Sequence, residues 1–242
     1  MRVARAAAHA SASRQRAPSL GDATVALAVV WTLLALQPFL APRWGIPAAS
    51  LVTFAGAAAW LWATRPARRP SRTGPACAEL VIGVAAGYAS LPAWILASAI
   101  LAVALGVAPG EPLPEASAPA ALLPALLVLG PAFEELLYRE RLLGALAARA
   151  PAAVALAASS LAFALPHPEP RLRVAAFLVG LGLGLLWLGT RSVALCIGLH
   201  AGLNLGIQLA GVPPTRAMLP PAAGAASACV LLGLARTRAR WR

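Results

Sequence analysis

The chain has 242 residues, of which 60% are hydrophobic and 12% charged, with a mean hydropathy of +0.76. A soluble domain carries about 25% charged residues, so a water-soluble globular protein is excluded and an integral membrane protein is implied. The net charge of +12 comes from arginine without lysine. These arginines lie in tails and short loops between apolar runs, which reads as a membrane-topology signal rather than a nucleic-acid surface.

Residues 1–21 form a basic tail with Arg2, Arg5, Arg14 and Arg16. Its composition resembles a transit peptide. The apolar run that follows is longer than the core of a cleaved signal, about 7–15 residues, and the tail reads instead as disordered and cytoplasmic. A helix needs about 20 apolar residues to cross a bilayer. On that ruler eight spans are expected, at 22–41, 46–63, 78–107, 118–149, 151–167, 172–189, 192–210 and 218–235. The expected fold class is all-α, a polytopic transmembrane helix bundle of about eight spans. Four segments follow: the tail 1–21, N-terminal spans over 22–117, a core over 118–210, and a last span with a basic tail over 211–242.

Within the spans, Pro92 is a candidate kink or split of the third, and Pro124 and Pro131 are candidate bends of the fourth. Gly83 and Gly87 form a G-x-x-x-G, a weak helix-packing signal by itself. Gly180, Gly182 and Gly184 suggest a close neighbour for the sixth span. They follow no predicted strand, so a dinucleotide loop is not indicated. Cys77, Cys196 and Cys229 show neither a pairing framework nor metal-ligand spacing and read as small core residues. With the N-terminus inside, fourteen arginines fall on the inner side and four on the outer. That asymmetry places both termini in the cytoplasm of a multi-pass protein of the plasma membrane.

The chemistry is expected in the core. Phe133-Glu134-Glu135-Leu136-Leu137-Tyr138-Arg139 puts two carboxylates and a guanidinium at membrane depth, where charge is costly and therefore rare. Glu135 and Arg139 are spaced i, i+4 and can pair on one helix face. Glu134 is turned about 100° away, free to face a cavity. On spacing alone a charged interfacial helix end is the competing reading, since Glu140 and Arg141 follow. His167, four residues after Phe163, stands at a span end, where an interfacial role competes with a catalytic one. His200 is near mid-span with Asn204 one turn on, and such a pair in lipid needs polar company. Counting about 1.5 Å per residue from the turn near Ala150 brings Glu134 and His167 level across an antiparallel hairpin. His200 reaches the same depth if the hairpin tip projects about 10 Å beyond the bilayer core.

The ordered set E-E-x-x-x-R, F-x-x-x-H and H-x-x-x-N on successive helices resembles the CPBP (Abi) family of intramembrane proteases. That family includes the type II CAAX prenyl endopeptidases and bacteriocin-processing or immunity proteins. The likeness covers about residues 118–210. It implies that Glu134, with His167, activates a water for attack on a peptide carbonyl. It further implies that His200 and Asn204 hold the oxyanion, and that Glu135, Arg139 and Phe163 are supporting positions. The implied partners are the lipid bilayer and a membrane-associated protein or peptide substrate, without nucleic acid. A glutamate mechanism needs no cofactor. The alternative is a zinc ion held by Glu134, His167 and His200, with an open position as in catalytic zinc sites, although H-E-x-x-H is absent. Two other functions compete: a non-enzymatic immunity or scaffold protein that keeps the polar cluster for packing, and a transporter using Glu and His as a proton relay. The chain shows no repeated halves of the transporter kind.

Overall fold

A computed structural model describes residues 19–65, 76–107, 119–167 and 169–210. Among them the chain is helical throughout, in seven helices: α1 Leu20–Ala35, α2 Gln37–Ala63, α3 Ala76–Ala104, α4 Ala120–Ala147, α5 Ala152–Ala164, α6 Pro170–Thr190 and α7 Val193–Ala210. By length and composition α2, α3, α4 and α6 can each cross a membrane, whereas α1, α5 and α7 are shorter apolar helices. Of the eight expected spans, the described residues show seven helices, four of them of spanning length. The predicted eighth span, 218–235, lies outside the described residues.

The differences have local causes. The expected break between the first two spans is at Gly45, whose φ of 78° lies in the left-handed region that glycine adopts without steric cost. Pro42 and Pro47 flank it. α1 ends earlier, at Ala35, and begins with a reciprocal cap between Ser19 and Asp22. α5 stops at Ala164 and not at residue 167, because Pro166 offers no N–H to continue the ladder. Its 13 residues reach only about 20 Å. α6 and α7 are joined by a sharp turn at Arg191, a left-handed C-cap with φ 58° whose N–H donates to the Trp187 carbonyl at 2.7 Å. α3 runs through Pro92 as one helix.

Two features position the rest. First, α3 and α7 pack backbone to backbone. A Cβ on Gly83 would come within 2.6 Å of the Leu195 carbonyl oxygen, and one on Gly87 would fall on that of Leu199. From the other side, Cβ atoms on Gly198 and Gly202 would fall on the carbonyl oxygens of Leu80 and Val84. Residue numbers rise together along both helices, so the pair is parallel. The weak G-x-x-x-G is thus one half of a glycine-on-glycine seam, the packing expected where lipid supplies no hydrophobic drive between helices. Gly87→Ala should cost about 1–3 kcal/mol by overpacking, read as a lower midpoint of thermal unfolding in detergent. Gly56→Ala, where a Cβ meets nothing within 4 Å, is the matched control and should unfold with the parent.

Second, α4 is not wound uniformly. It holds π-helical turns at Ala125–Leu129 and Leu136–Leu143, with an ordinary α segment, Gly130–Glu135, between them. Wide turns of this kind are rare and concentrate at functional sites.

Candidate active site

The acidic pair stands at the end of that α segment. Glu135 is fully buried, and its Oε1 lies 3.0 Å from His200 Nδ1. Its Oε2 lies 3.0 Å from Arg139 Nε, as the i, i+4 spacing predicts. That second contact is an ion pair without hydrogen-bond alignment, and Arg139 Nη1 and Nη2 are buried without a partner among the described residues. The Arg139 guanidinium is also placed over the Phe163 ring, 4.8 Å from its centroid, a cation–π contact. Both polar contacts of Glu135 among the described residues are with buried groups, and the one to His200 joins α4 to α7.

Glu134 is different. Its side chain retains 26% of its exposure against 0% for Glu135. Its ion-pair neighbour among the described residues is His200, with Oε2 3.6 Å from Nε2, longer than a hydrogen bond. The two carboxylates thus differ in setting: Glu135 is fully buried and held on both oxygens, whereas Glu134 is partly exposed.

Phe163 ties the imidazoles together. Its ring packs edge-on against His167 at 5.6 Å, His200 at 5.7 Å and Tyr138 at 5.4 Å between centroids. His167 lies just past α5, with Nδ1 3.2 Å from the Ala164 carbonyl oxygen. It makes no contact with either glutamate among the described residues, so the imidazole beside Glu134 is His200. Asn204 sits one turn beyond His200 and donates its Nδ2 to the Leu126 carbonyl oxygen at 2.9 Å. Among the described residues no three His, Cys, Asp or Glu side chains converge closely enough to hold a metal ion.

Several supports were not singled out in the sequence. Ser159 donates to the Tyr138 carbonyl at 2.8 Å, on the second wide turn. Arg65 at the end of α2 grips Glu140 with two bonds of 2.6 and 2.8 Å, a charge-assisted fork. Arg141 donates to Thr64 and to the Leu61 carbonyl, closing the C-terminal end of α2. Buried Glu79 on α3 accepts from Ser192 Oγ at 2.5 Å, and Ser192 in turn caps α7. Glu79 had a readable signal, as the one acid in an otherwise uncharged helix. Ser159 had none, since a serine in a span bonds its own helix or a neighbour equally well.

These elements define a multi-pass helical membrane protein with a carboxylate–imidazole site enclosed by α4, α5 and α7. Over residues 116–206, the segment carrying all three motifs, the chain matches the family model for type II CAAX prenyl endopeptidase Rce1-like proteins. The resemblance to the CPBP family drawn from the motifs is borne out over this segment, and the family is one of membrane endopeptidases. No curated protein and no solved structure matches the chain.

Proposed function

We propose that this protein is an intramembrane endopeptidase that hydrolyses a peptide bond in a membrane-associated protein or peptide with a glutamate-activated water. The observation that carries the reading is the asymmetry of the acidic pair: Glu135 is held by Arg139 and His200, while Glu134 is partly exposed and forms no hydrogen bond among the described residues. Glu134 takes a proton from water as the oxygen adds to the scissile carbonyl, with His167 assisting as the motif implies. The carbonyl oxygen becomes an oxyanion, which N–H donors from His200 and Asn204 stabilise in a site with little competing water. Glu134 then returns the proton to the leaving amine as the C–N bond breaks, so a single group serves as base and acid. The reaction as written uses these side chains and water, with no cofactor.

The arginine asymmetry, counted over eight spans, supports both termini in the cytoplasm, and the plasma membrane is the location we assign. The substrate class suggested by the matched family is a prenylated CAAX tail, and a leader peptide or membrane-anchored tail is the alternative. The test compares membrane proteomes of cells carrying the parent or Glu134→Gln. We expect peptide termini that are present with the parent and lost with the variant. Identical termini in both would sink the protease reading.

A second reading, a non-enzymatic immunity or scaffold protein, is favoured by one observation. Apart from Glu134, the buried polar groups mostly join one helix to another. On that reading substitutions in the cluster lower stability and abundance and remove no activity.

A further inference from the structure

The hydrogen bond from Asn204 ends on a carbonyl that the helix itself has no means to satisfy. In the wide turn Ala125–Leu129 the N–H of Gly130 reaches back five residues to the Ala125 carbonyl oxygen. By the same register the Leu126 carbonyl awaits the N–H of residue 131. Residue 131 is proline, fully buried, and has no N–H to give. Gly130, which would serve Leu126 in an ordinary α-helix, is already committed to Ala125. The Leu126 carbonyl is thus left open at membrane depth, where an unsatisfied backbone group costs several kcal/mol. Asn204 Nδ2 fills that vacancy at 2.9 Å. Because a carbonyl can only accept, the bond also settles which end of the amide faces α4. The nitrogen does, with one N–H used and the other still available.

We infer that Pro131 is a positioning residue for Asn204: by withholding an N–H from the Leu126 carbonyl, it creates the acceptor that orients the Asn204 amide one turn from His200. A bend in α4 would also follow from proline. The inference adds that the missing donor matters more than the bend, and that its product is a fixed side chain on another helix. Its activity arm rests on the protease reading above; its structural arm does not.

Asn204 is the sole asparagine in the chain, which makes a direct test possible. Protein labelled with [15N]asparagine in detergent micelles gives one side-chain amide pair. In the parent we expect the two protons of that pair to be inequivalent, one protected from exchange with water and the other exchanging faster. Pro131→Ala supplies an N–H to the Leu126 carbonyl. Pro131→Val does the same with a side chain nearer the volume of proline, in case the alanine variant leaves a cavity that harms folding. In either variant the protected proton should lose its protection as the backbone N–H takes over the carbonyl. Cleavage, if the parent cleaves, should fall about tenfold or more in kcat with KM within about twofold, a loss approaching removal of one oxyanion donor. The thermal midpoint of the valine variant should be equal to or above that of the parent, since it regains a helix hydrogen bond. Activity and stability moving in opposite directions is what a packing role does not produce. An amide pair that is freely exchanging in the parent, or unchanged in both variants, overturns the inference. A parent that cleaves nothing but shows the expected amide behaviour overturns only the protease reading.

Discussion

Glu134→Gln is expected to reduce cleavage by about a thousandfold, within the range for loss of a general base, while the protein inserts and unfolds like the parent. The two halves of that expectation come from different observations. Glutamine keeps the size of the side chain but cannot take a proton from water. The fold should be indifferent to the change, because Glu134 is partly exposed and His200, its ion-pair neighbour among the described residues, stands 3.6 Å away. The measurement is a single-turnover assay in lipid nanodiscs beside a thermal unfolding scan of the same preparation. Cleavage at the parental rate would remove Glu134 from the reaction. A fallen unfolding midpoint would move it into the packing of the helices.

Arg139→Ala should act in the opposite sense, on the folded state before the chemistry. It leaves Glu135 fully buried with its cation gone. Breaking a buried pair from one side costs about 3–5 kcal/mol, largely the penalty of an uncompensated charge. That is a large share of the stability of an ordinary domain, about 5–15 kcal/mol. We expect little folded protein after detergent extraction. Glu135→Gln combined with Arg139→Met removes both charges at similar volume and should recover much of the loss. The comparison is a double-mutant cycle on unfolding midpoints, with a coupling well above the few tenths of a kcal/mol seen for independent sites. Additive losses would mean that the contact at 3.0 Å contributes little. The recovered double variant should still cleave poorly, because His200 loses the charged partner of its Nδ1.

Much of this site could be read from spacing. The i, i+4 rule put Glu135 with Arg139, the 100° step turned Glu134 away, and mid-span His200 was expected to need a polar partner, which is Glu135. These are properties of one helix at a time, and side-chain period carries them. What could not be read depends on the meeting of helices. The turn-to-motif ruler assumed 1.5 Å per residue on both arms of the hairpin, but α4 contains wide turns and α5 ends at Ala164. Apolar run length suggested that each run was a span, whereas α5 ends before Pro166 and α1 ends at Ala35. The G-x-x-x-G of α3 was ambiguous because its meaning lies in Gly198 and Gly202, more than a hundred residues on. Glu79 was legible as an acid in a span, but its partner Ser192 was not.

The glycine seam between α3 and α7 carries a practical consequence. The segment that bears all three motifs starts after α3 has ended, yet its last helix is seated on α3 without an intervening side chain at Gly83 and Gly87. The motif-bearing part is therefore not a portable cassette. Grafted into another scaffold or expressed as a fragment, it would lack the mould that sets the height of His200 against Glu135, unless a parallel helix with a glycine-lined flank travelled with it.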